Sequence, residues 1–352
     1  MEFGVQFFPD VEPRDKDAQT YFRESLDIAE EAERQGFTHA RVVEHHFHPY
    51  GGYSPNPLTF LSAVSQRTKR MRLVTGAVLP AFNHPLKLAG EIGMVDSISG
   101  GRLDVGFARA FLLHEFRRFG VSPDESVERF REGLEQIDLL LREENVTHRG
   151  KFHTIEATTS LPRPVQKPRP KFYLACVNTP DSFEFAGRMG YSVMAIPIGG
   201  RAPELLNIYR QAWKDAGHPG TGEVMLAFHM HCEPDGEAAR RTAKPFFDHY
   251  FVSQLDAAKD WLDGATSKDY PGYEKMFEQI KKLNLESQIE SRSAWVGSPD
   301  EIREAIAGAV EIYGTFEHAS LQINFGMMPF DKAMASLKLF GAEVMPQLTA
   351  AA

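Results

Sequence analysis

The chain has 352 residues, 42% hydrophobic and 25% charged, and a formal net charge of −9. These are globular values, and the acidic balance argues against a general binder of nucleic acid or of membrane surfaces. Two cysteines, Cys176 and Cys232, point to a reducing, cytoplasmic setting, and neither a signal peptide nor an apolar stretch of about 18 residues is present to direct the chain to a membrane.

In chain order, "FGVQFF" (3–8) is an apolar run of strand type, and "FRESLDIAEEAERQG" (22–36) sets apolar residues at helical spacing before a stopping glycine. "HARVVE" (39–44) predicts a second strand, 57–70 a helix, "MRLVTGAVLP" (71–80) a third strand, 86–98 a helix and 102–108 a fourth strand. Within 121–170 come an amphipathic helix, the short run "THRGKFHTIE" and the Pro-rich "LPRPVQKPRP", an extended connector into the fifth strand, "KFYLACV". Helix 181–189, strand "YSVMAIP", helix 203–216, strand "EVMLAFHMHC" and helix 237–251 follow. Residues 254–298 are long, charged and weakly periodic, which suits either a lid or a peripheral decoration. "HASLQINF" and a last helix over 332–344 finish the series.

Repeated strand–helix units force parallel strands, because each helix carries the chain back across the sheet. Eight such units fit a single (β/α)8 TIM barrel domain over 1–352, with an extended insertion before the last unit. A doubly wound open sheet is the structural alternative.

In such a barrel the chemistry lies where the strands end. After the second strand come Glu44, His45, His46, His48, Tyr50 and Tyr53. "VTGAVLPAFNHP" closes the third strand; "FARAFLLHEF" with Arg109 follows the fourth, "VNTPDS" the fifth, "PIGG" the sixth and "FGMMP" the eighth. Histidines carry protons near neutral pH, and an arginine beside a helix N-terminus makes an anion site, most simply for phosphate. Plainer readings exist: Thr179 and Ser182 as helix caps, Arg109 as a surface ion pair. No metal is expected. Adjacent His45 and His46 point to opposite sides of a strand-like segment, no cysteine or further acid stands at zinc spacing, and His229 and His231 read as core or pocket-wall histidines. No Gly-x-Gly-x-x-Gly follows the first strand, and no Gly-Lys-Ser/Thr loop occurs.

In this order, "VVEHHF", "LVTGAVLPAFNHPLKLAGEIGMVDSISGGRLDVGFARA", "FRRFGV", "WVGSPDEI" and "SLKLFGAEVMPQL" resemble the bacterial luciferase family of flavin-dependent monooxygenases along nearly the whole chain. The resemblance implies a barrel that binds reduced FMN and activates O2, as a C4a-peroxyflavin, to oxygenate a small organic substrate. It implies that His45 works beside the flavin, with Glu44 a candidate to orient a histidine. Arg109 would grip the FMN phosphate together with Asn178, Thr179 and Ser182. Thr75, Gly76 and Ala77 would lie under the ring, with a non-proline cis peptide near Thr75–Gly76. Tyr50, Tyr53, Phe111 and His114 would line the substrate side. The chain departs from the family at Ala108, where the luciferases carry cysteine, and at Ala110, where many relatives carry glycine; these bear on light emission rather than on flavin binding. Without a nicotinamide motif, FMNH2 must come from a separate flavin reductase. The resemblance also implies a homodimer, or a dimer with a related subunit, through helices 57–70 and 86–98. The rivals are a deazaflavin-dependent oxidoreductase on the same barrel and a non-catalytic flavin-binding subunit.

Overall fold

Short apolar runs flanked by polar ends make strands buried on both faces, the pattern of a parallel sheet covered by helices. The computed structural model, which describes residues 1–197 and 201–349, forms such strands at β1 (Glu2–Phe7), β2 (His39–Val42), β3 (Arg72–Val78) and β4 (Leu103–Phe107). An antiparallel hairpin, β5 (Val146–Arg149) with β6 (Thr154–Thr158), comes next. The series resumes with β7 (Lys171–Ala175), β8 (Ser192–Ala195), β9 (Val224–Cys232), β10 (Ala294–Gly297) and β11 (His318–Gln322). Parallel pairing runs β1–β2–β3–β4–β7–β8–β9–β11 and returns to β1, where Glu2 to Gln6 lie in register with His318 to Gln322. The eight strands expected from the sequence are the eight that close this barrel.

The helices are α1 (Ala18–Arg34), α2 (Pro57–Arg67), α3 (Pro85–Ser99), α4 (Leu113–Phe119), α5 (Ser126–Arg142), α6 (Pro180–Met189), α7 (Ala202–Asp215), α8 (Gly236–Ala257), α9 (Lys259–Leu262), α10 (Tyr273–Ile280), α11 (Leu285–Glu290), α12 (Pro299–Tyr313), α13 (Phe330–Leu339) and α14 (Met345–Thr349). Asp17, Asn56, Asp235 and Ser298 each accept a backbone N–H at the helix start that follows them.

Four features differ from the sequence reading. Helix α12 was not expected, although "SPDE" holds both halves of its capping box, Ser298 and Glu301. Strand β10, no shorter than β2 and β8, lies at the end of the charged, weakly periodic 254–298 segment and so falls outside the strand–helix alternation that marked the others. It pairs with His229 to Cys232 on the edge of β9 that β8 leaves at Leu226, since β11 occupies the opposite edge. The insertion over 254–298 is built of the end of α8, the short helices α9, α10 and α11, and β10; Trp261, Tyr270, Phe277 and Leu285 bury it against the barrel. Helices of four to eight residues are too short to show a period. Finally, the last predicted helix is interrupted by a π turn at Phe340–Val344. There Gly341 lies so close to Gln35 that a Cβ would meet its side chain at 2.8 Å. Of "PIGG" after the sixth predicted strand, Ile198, Gly199 and Gly200 lie outside the described residues. Among the described residues no helix is long and apolar enough to cross a membrane.

Candidate active site

Strand order decides which residues can meet. β1, β2 and β3 lie side by side, so the segments after them share one sector of the barrel mouth; β4 and β7 are neighbours, so Arg109 shares a corner with the turn that begins at Cys176.

After β2 the chain doubles back on itself. The His45 N–H donates to Ser54 O at 3.1 Å, and the Ser54 hydroxyl donates to Val43 O at 2.5 Å. Gly51 (φ +82) presses on His45, and a Cβ there would fall 2.5 Å from His45 Cβ. The imidazole is 6% exposed and ringed by Phe8, Tyr50 and Phe111, with centroids 5.3, 5.7 and 5.6 Å away. Its Nδ1 lies 3.1 Å from Oε1 of Glu115, a fully buried carboxylate that also accepts the His46 N–H at 2.8 Å. An ionised carboxylate only accepts, so Nδ1 carries the proton of that bond. Nε2 has no hydrogen-bond partner among the described residues. Held this way, His45 offers Nε2 as a base when neutral and as an acid when protonated.

His46 faces the opposite way, as expected of a neighbour in an extended segment. Its Nε2 is 3.1 Å from Glu44 Oε1, and its ring meets Phe82 and Phe119. Glu44 accepts further from the Leu79 N–H and from Asn83, both at 3.0 Å, while burial pushes its carboxyl up. The histidine that Glu44 orients is therefore His46, and the carboxylate on His45 is Glu115. Sequence reasoning did not single out Glu115. It stands in the quoted "FLLHEF", but a partner 70 residues from His45 leaves no local spacing to read.

Tyr50 packs on Phe8 with centroids 4.4 Å apart and sets its hydroxyl 3.3 Å from that of Tyr250. Phe111 lies edge-on to His45 and stacks at 6.2 Å on Phe277 of α10. His114 is wedged between His46 O (3.1 Å) and Ala257 O (3.3 Å), and burial lowers its pKa, so the neutral ring donates to one of them. Tyr53 is turned toward α1, donating to Lys16 O at 3.0 Å and packing on Tyr21 and Phe22; the structure does not bring it to His45.

At the end of β3 the Thr75 hydroxyl donates to Gly106 O (2.9 Å) and accepts the Gly106 N–H (2.7 Å). The ladder with β4 then shifts register between Thr75 and Val78. The expected cis peptide near Thr75–Gly76 is absent: the cis bonds among the described residues are Leu161–Pro162 and Lys167–Pro168. Thr75 is locked to β4 by two bonds, and the register shift beyond it accommodates the irregular strand end. Gly76 closes on β2, where a Cβ would come 3.0 Å from Arg41 Nε, and Ala77 beside it is buried.

Arg109 follows β4. One nitrogen donates to Asp269 O at 3.0 Å, the guanidinium lies 5.0 Å over the Tyr270 ring, and no carboxylate pairs with it among the described residues. Its charge also favours the thiolate of Cys176, although burial dominates and pushes that thiol up to about 12. Beyond Cys176, the amide of Asn178 has no hydrogen-bond partner among the described residues. Thr179 holds the N-cap position of α6 without capping an N–H; its hydroxyl and that of Ser182 bond each other at 2.7 Å. Ala110, which follows Arg109, adopts φ +65, and its carbonyl accepts from the Tyr270 hydroxyl at 2.8 Å. The insertion is thus seated on the Arg109 loop, with Trp261 donating to Phe111 O at 2.9 Å as a second tie. Among the described residues no group of three His, Cys, Asp or Glu side chains could hold a metal ion.

Comparison with known proteins gives a consistent picture. The family model described as luciferase-like monooxygenase matches residues 1–315. The oxygenase component of a flavin-dependent trigonelline monooxygenase from Acinetobacter baylyi is 30% identical over 342 residues, 92% of this chain and 89% of that protein. The crystal structure of monooxygenase RslO1 from Streptomyces bottropensis superposes with a TM-score of 0.84 at 41% identity, over 99% of this chain and all of the other. The oxygenating constituent of 3,6-diketocamphane monooxygenase from Pseudomonas putida, solved with FMN, shares the fold at a TM-score of 0.81 and 21% identity over 99% and 98% of the two chains. An F420-dependent secondary alcohol dehydrogenase has the same fold at a TM-score of 0.72 and 16% identity over 98% of each chain. Sequence and fold together make this chain an enzyme of the luciferase-like monooxygenase family, the flavin-dependent oxidoreductases that its strand-end motifs resemble.

Proposed function

We propose that the chain is the oxygenase component of a two-component system, taking reduced FMN from a separate flavin reductase and O2 to oxygenate a small organic substrate. The observation that carries this reading is the pairing of two unlike sites at one mouth: an imidazole with a free nitrogen, and a corner of donors that no acidic side chain pairs among the described residues. Arg109 without a carboxylate, the free Asn178 amide, the Thr179 and Ser182 hydroxyls and the start of α6 match the chemistry of a phosphate dianion. Thr75, Gly76 and Ala77 would floor the ring between the two sites. When bound, reduced flavin would supply the electrons that activate O2.

The chain's own residues do the rest. Arg109 and the α6 turn anchor the phosphate end. Glu115 fixes the tautomer of His45, so that Nε2 gives or takes the proton at the reacting oxygen. Tyr50 and Phe111 exclude water from that nitrogen, and Phe277 on the insertion extends the same apolar wall. Glu44 holds His46, and His114 ties the loop to α8, so both shape the mouth behind the reacting face. Tyr53 takes part in the wall through the loop it braces.

The relatives support this reading: one is named an oxygenase component and another was solved with FMN. The F420-dependent neighbour supports the deazaflavin rival. Anaerobic titration with photoreduced FMN and with reduced F420, then mixing with oxygenated buffer, separates them. Saturable FMNH2 binding and O2 uptake coupled to it are expected; binding of reduced F420 alone, with no O2 uptake, would overturn the proposal.

We also propose a single domain over 1–352, a cytoplasmic setting that suits two buried, free cysteines, and a dimer through α2 and α3. α3 exposes Met94 (48%) and Ile98 (46%), and the connector packed on it exposes Leu161 and Val165. Light scattering at micromolar concentration should give twice the chain mass; a monomer mass would count against the dimer.

A further inference from the structure

Arg41 is a buried cation with no counter-charge among the described residues. It lies on β2, one residue before the strand ends, in register with Gln6 of β1; Gln6 is in turn in register with Gln322, the last residue of β11. Residues in register on parallel strands point to the same side, so the three form one arc at the mouth of the barrel. Arg41 is 7% exposed, Gln6 6% and Gln322 2%.

The arc is short of acceptors. Arg41 Nη1 donates to Gln6 Oε1 at 2.5 Å, and Gln6 Nε2 donates weakly to Gln322 Oε1 at 3.5 Å. Arg41 Nε and Gln322 Nε2 are sealed from solvent with no hydrogen-bond partner among the described residues. Arg41 Nη2 has no partner among the described residues, and no carboxylate reaches the guanidinium there. Burial pushes the Arg41 guanidinium down to about 10, so it stays charged at neutral pH. An uncompensated buried charge and orphaned donors are costly to keep unless something anionic joins them.

The place of the arc says what joins it. Gly76 closes so tightly on Arg41 that a Cβ would lie 3.0 Å from Nε, and Gly76 belongs to the β3 segment assigned above to the flavin ring. The reduced ring loses its N1 proton near neutral pH and spreads the negative charge over N1 and the C2 carbonyl oxygen. We propose that Arg41, braced by Gln6 and Gln322, is the counter-ion for the anionic pyrimidine edge of reduced FMN, so that the chain binds the reduced cofactor in preference to the oxidised one. The inference rests on the FMN reading and extends it. An oxygenase fed by another protein must take up FMNH2 in the presence of FMN, and a fixed positive charge at that edge provides the discrimination. Arg41 is here a specificity residue for the redox state of the cofactor.

The test compares oxidised and photoreduced FMN in anaerobic fluorescence titrations of wild type, Arg41→Met and Arg41→Lys, with thermal unfolding as a check of the fold. Wild type should bind FMNH2 more tightly than FMN. Arg41→Met should shrink that ratio by about tenfold or more, equal to a fall of about 30 mV in the two-electron potential of bound FMN. Arg41→Lys should keep most of the ratio. A second readout needs no variant: FMNH2 bound to wild type should keep the spectrum of the anion at about one pH unit below the N1 pKa of free reduced FMN. Equal affinity of wild type for the two forms, a Met variant with an unchanged ratio, or a bound reduced flavin that protonates as in solution would overturn this inference and leave the FMN reading standing. Failure of wild type to bind either form would overturn both.

Discussion

Around His45 the bonds that orient the ring end on protein, while Nε2 and the second oxygen of Glu115 stay without a partner among the described residues. Glu115 accepts from the ring and from the His46 amide, Ser54 clamps the loop, and Gly51 leaves no space behind the imidazole. Around Arg109, six residues before Glu115, the donors end on nothing charged: a carbonyl, an aromatic face and a turn whose two hydroxyls bond only each other. Under the proposed function, the contrast is between two ways of preparing a site. A proton must be delivered along a fixed line, so the imidazole is oriented in advance by buried bonds. On the same reading, the other corner is prepared for an anion by donors whose present partners are only a carbonyl, an aromatic face and each other.

Breaking the oriented end should have the largest effect. Glu115→Ala strands the His45 Nδ1–H and the His46 N–H in a dry pocket, and urea unfolding should show a loss of about 4 kcal/mol. A third carboxylate at the strand ends sharpens the point. Asp10 is 3% exposed, with the Ser253 hydroxyl and the His249 ring, 3.8 Å away, as the groups set to offset its charge among the described residues. Burial pushes its carboxyl up to about 6, above its value of 3.8 in the open chain, so the folded state binds the proton more tightly. That contribution to stability is full below pH 3.8 and is lost as pH rises through about 6. Asp10→Asn should therefore be more stable than wild type at pH 8, by at most about 3 kcal/mol, with the difference vanishing near pH 4 in parallel thermal scans.

His45→Ala should keep fold and FMN binding and lower turnover by about 10²-fold, whereas His46→Ala should act through unfolding free energy. Stopped-flow mixing with oxygenated buffer reads the first, denaturant curves the second. At the open corner, Arg109→Ala should weaken FMN binding by about 1.5 kcal/mol, roughly tenfold, in a fluorescence titration, with little change in melting temperature. The smallest effect belongs to the loop itself. Ala110 holds φ +65, which glycine adopts without steric cost, so Ala110→Gly should raise stability by about 1 kcal/mol in denaturant curves.

The barrel was legible because each strand is an apolar run and each helix a periodic one, signals that survive without knowledge of partners. That the loops of Arg109 and "VNTPDS" would be neighbours was legible for a related reason: strand order alone brings the ends of β4 and β7 together. Glu115 was hidden because its partner lies far off in the chain, and β10 because it closes a charged, weakly periodic insertion that breaks the strand–helix alternation. The role given to Glu44 shows the limit of adjacency. The residue next to His45 turns its carboxylate to His46, because alternate residues face opposite walls. Arg41 sat unremarked inside "HARVVE", where a single charge in a strand reads as a surface residue until the barrel closes around it.

That closure has a practical side. The seam of the barrel joins residues 2–6 to residues 318–322, almost the full length of the chain apart, and the family match ends at residue 315, just short of β11. A fragment trimmed to the matched region would leave β1 and β9 with bare edges, and unpaired parallel edges invite pairing between molecules. Seam contacts this distant in sequence also make folding slow, because the loop between them must close before they form. During synthesis β1 must wait, half paired with β2, until β11 leaves the ribosome. Expression yield should therefore depend on the last forty residues more steeply than their distance from His45 suggests, and a shortened gene should give inclusion bodies rather than a smaller barrel.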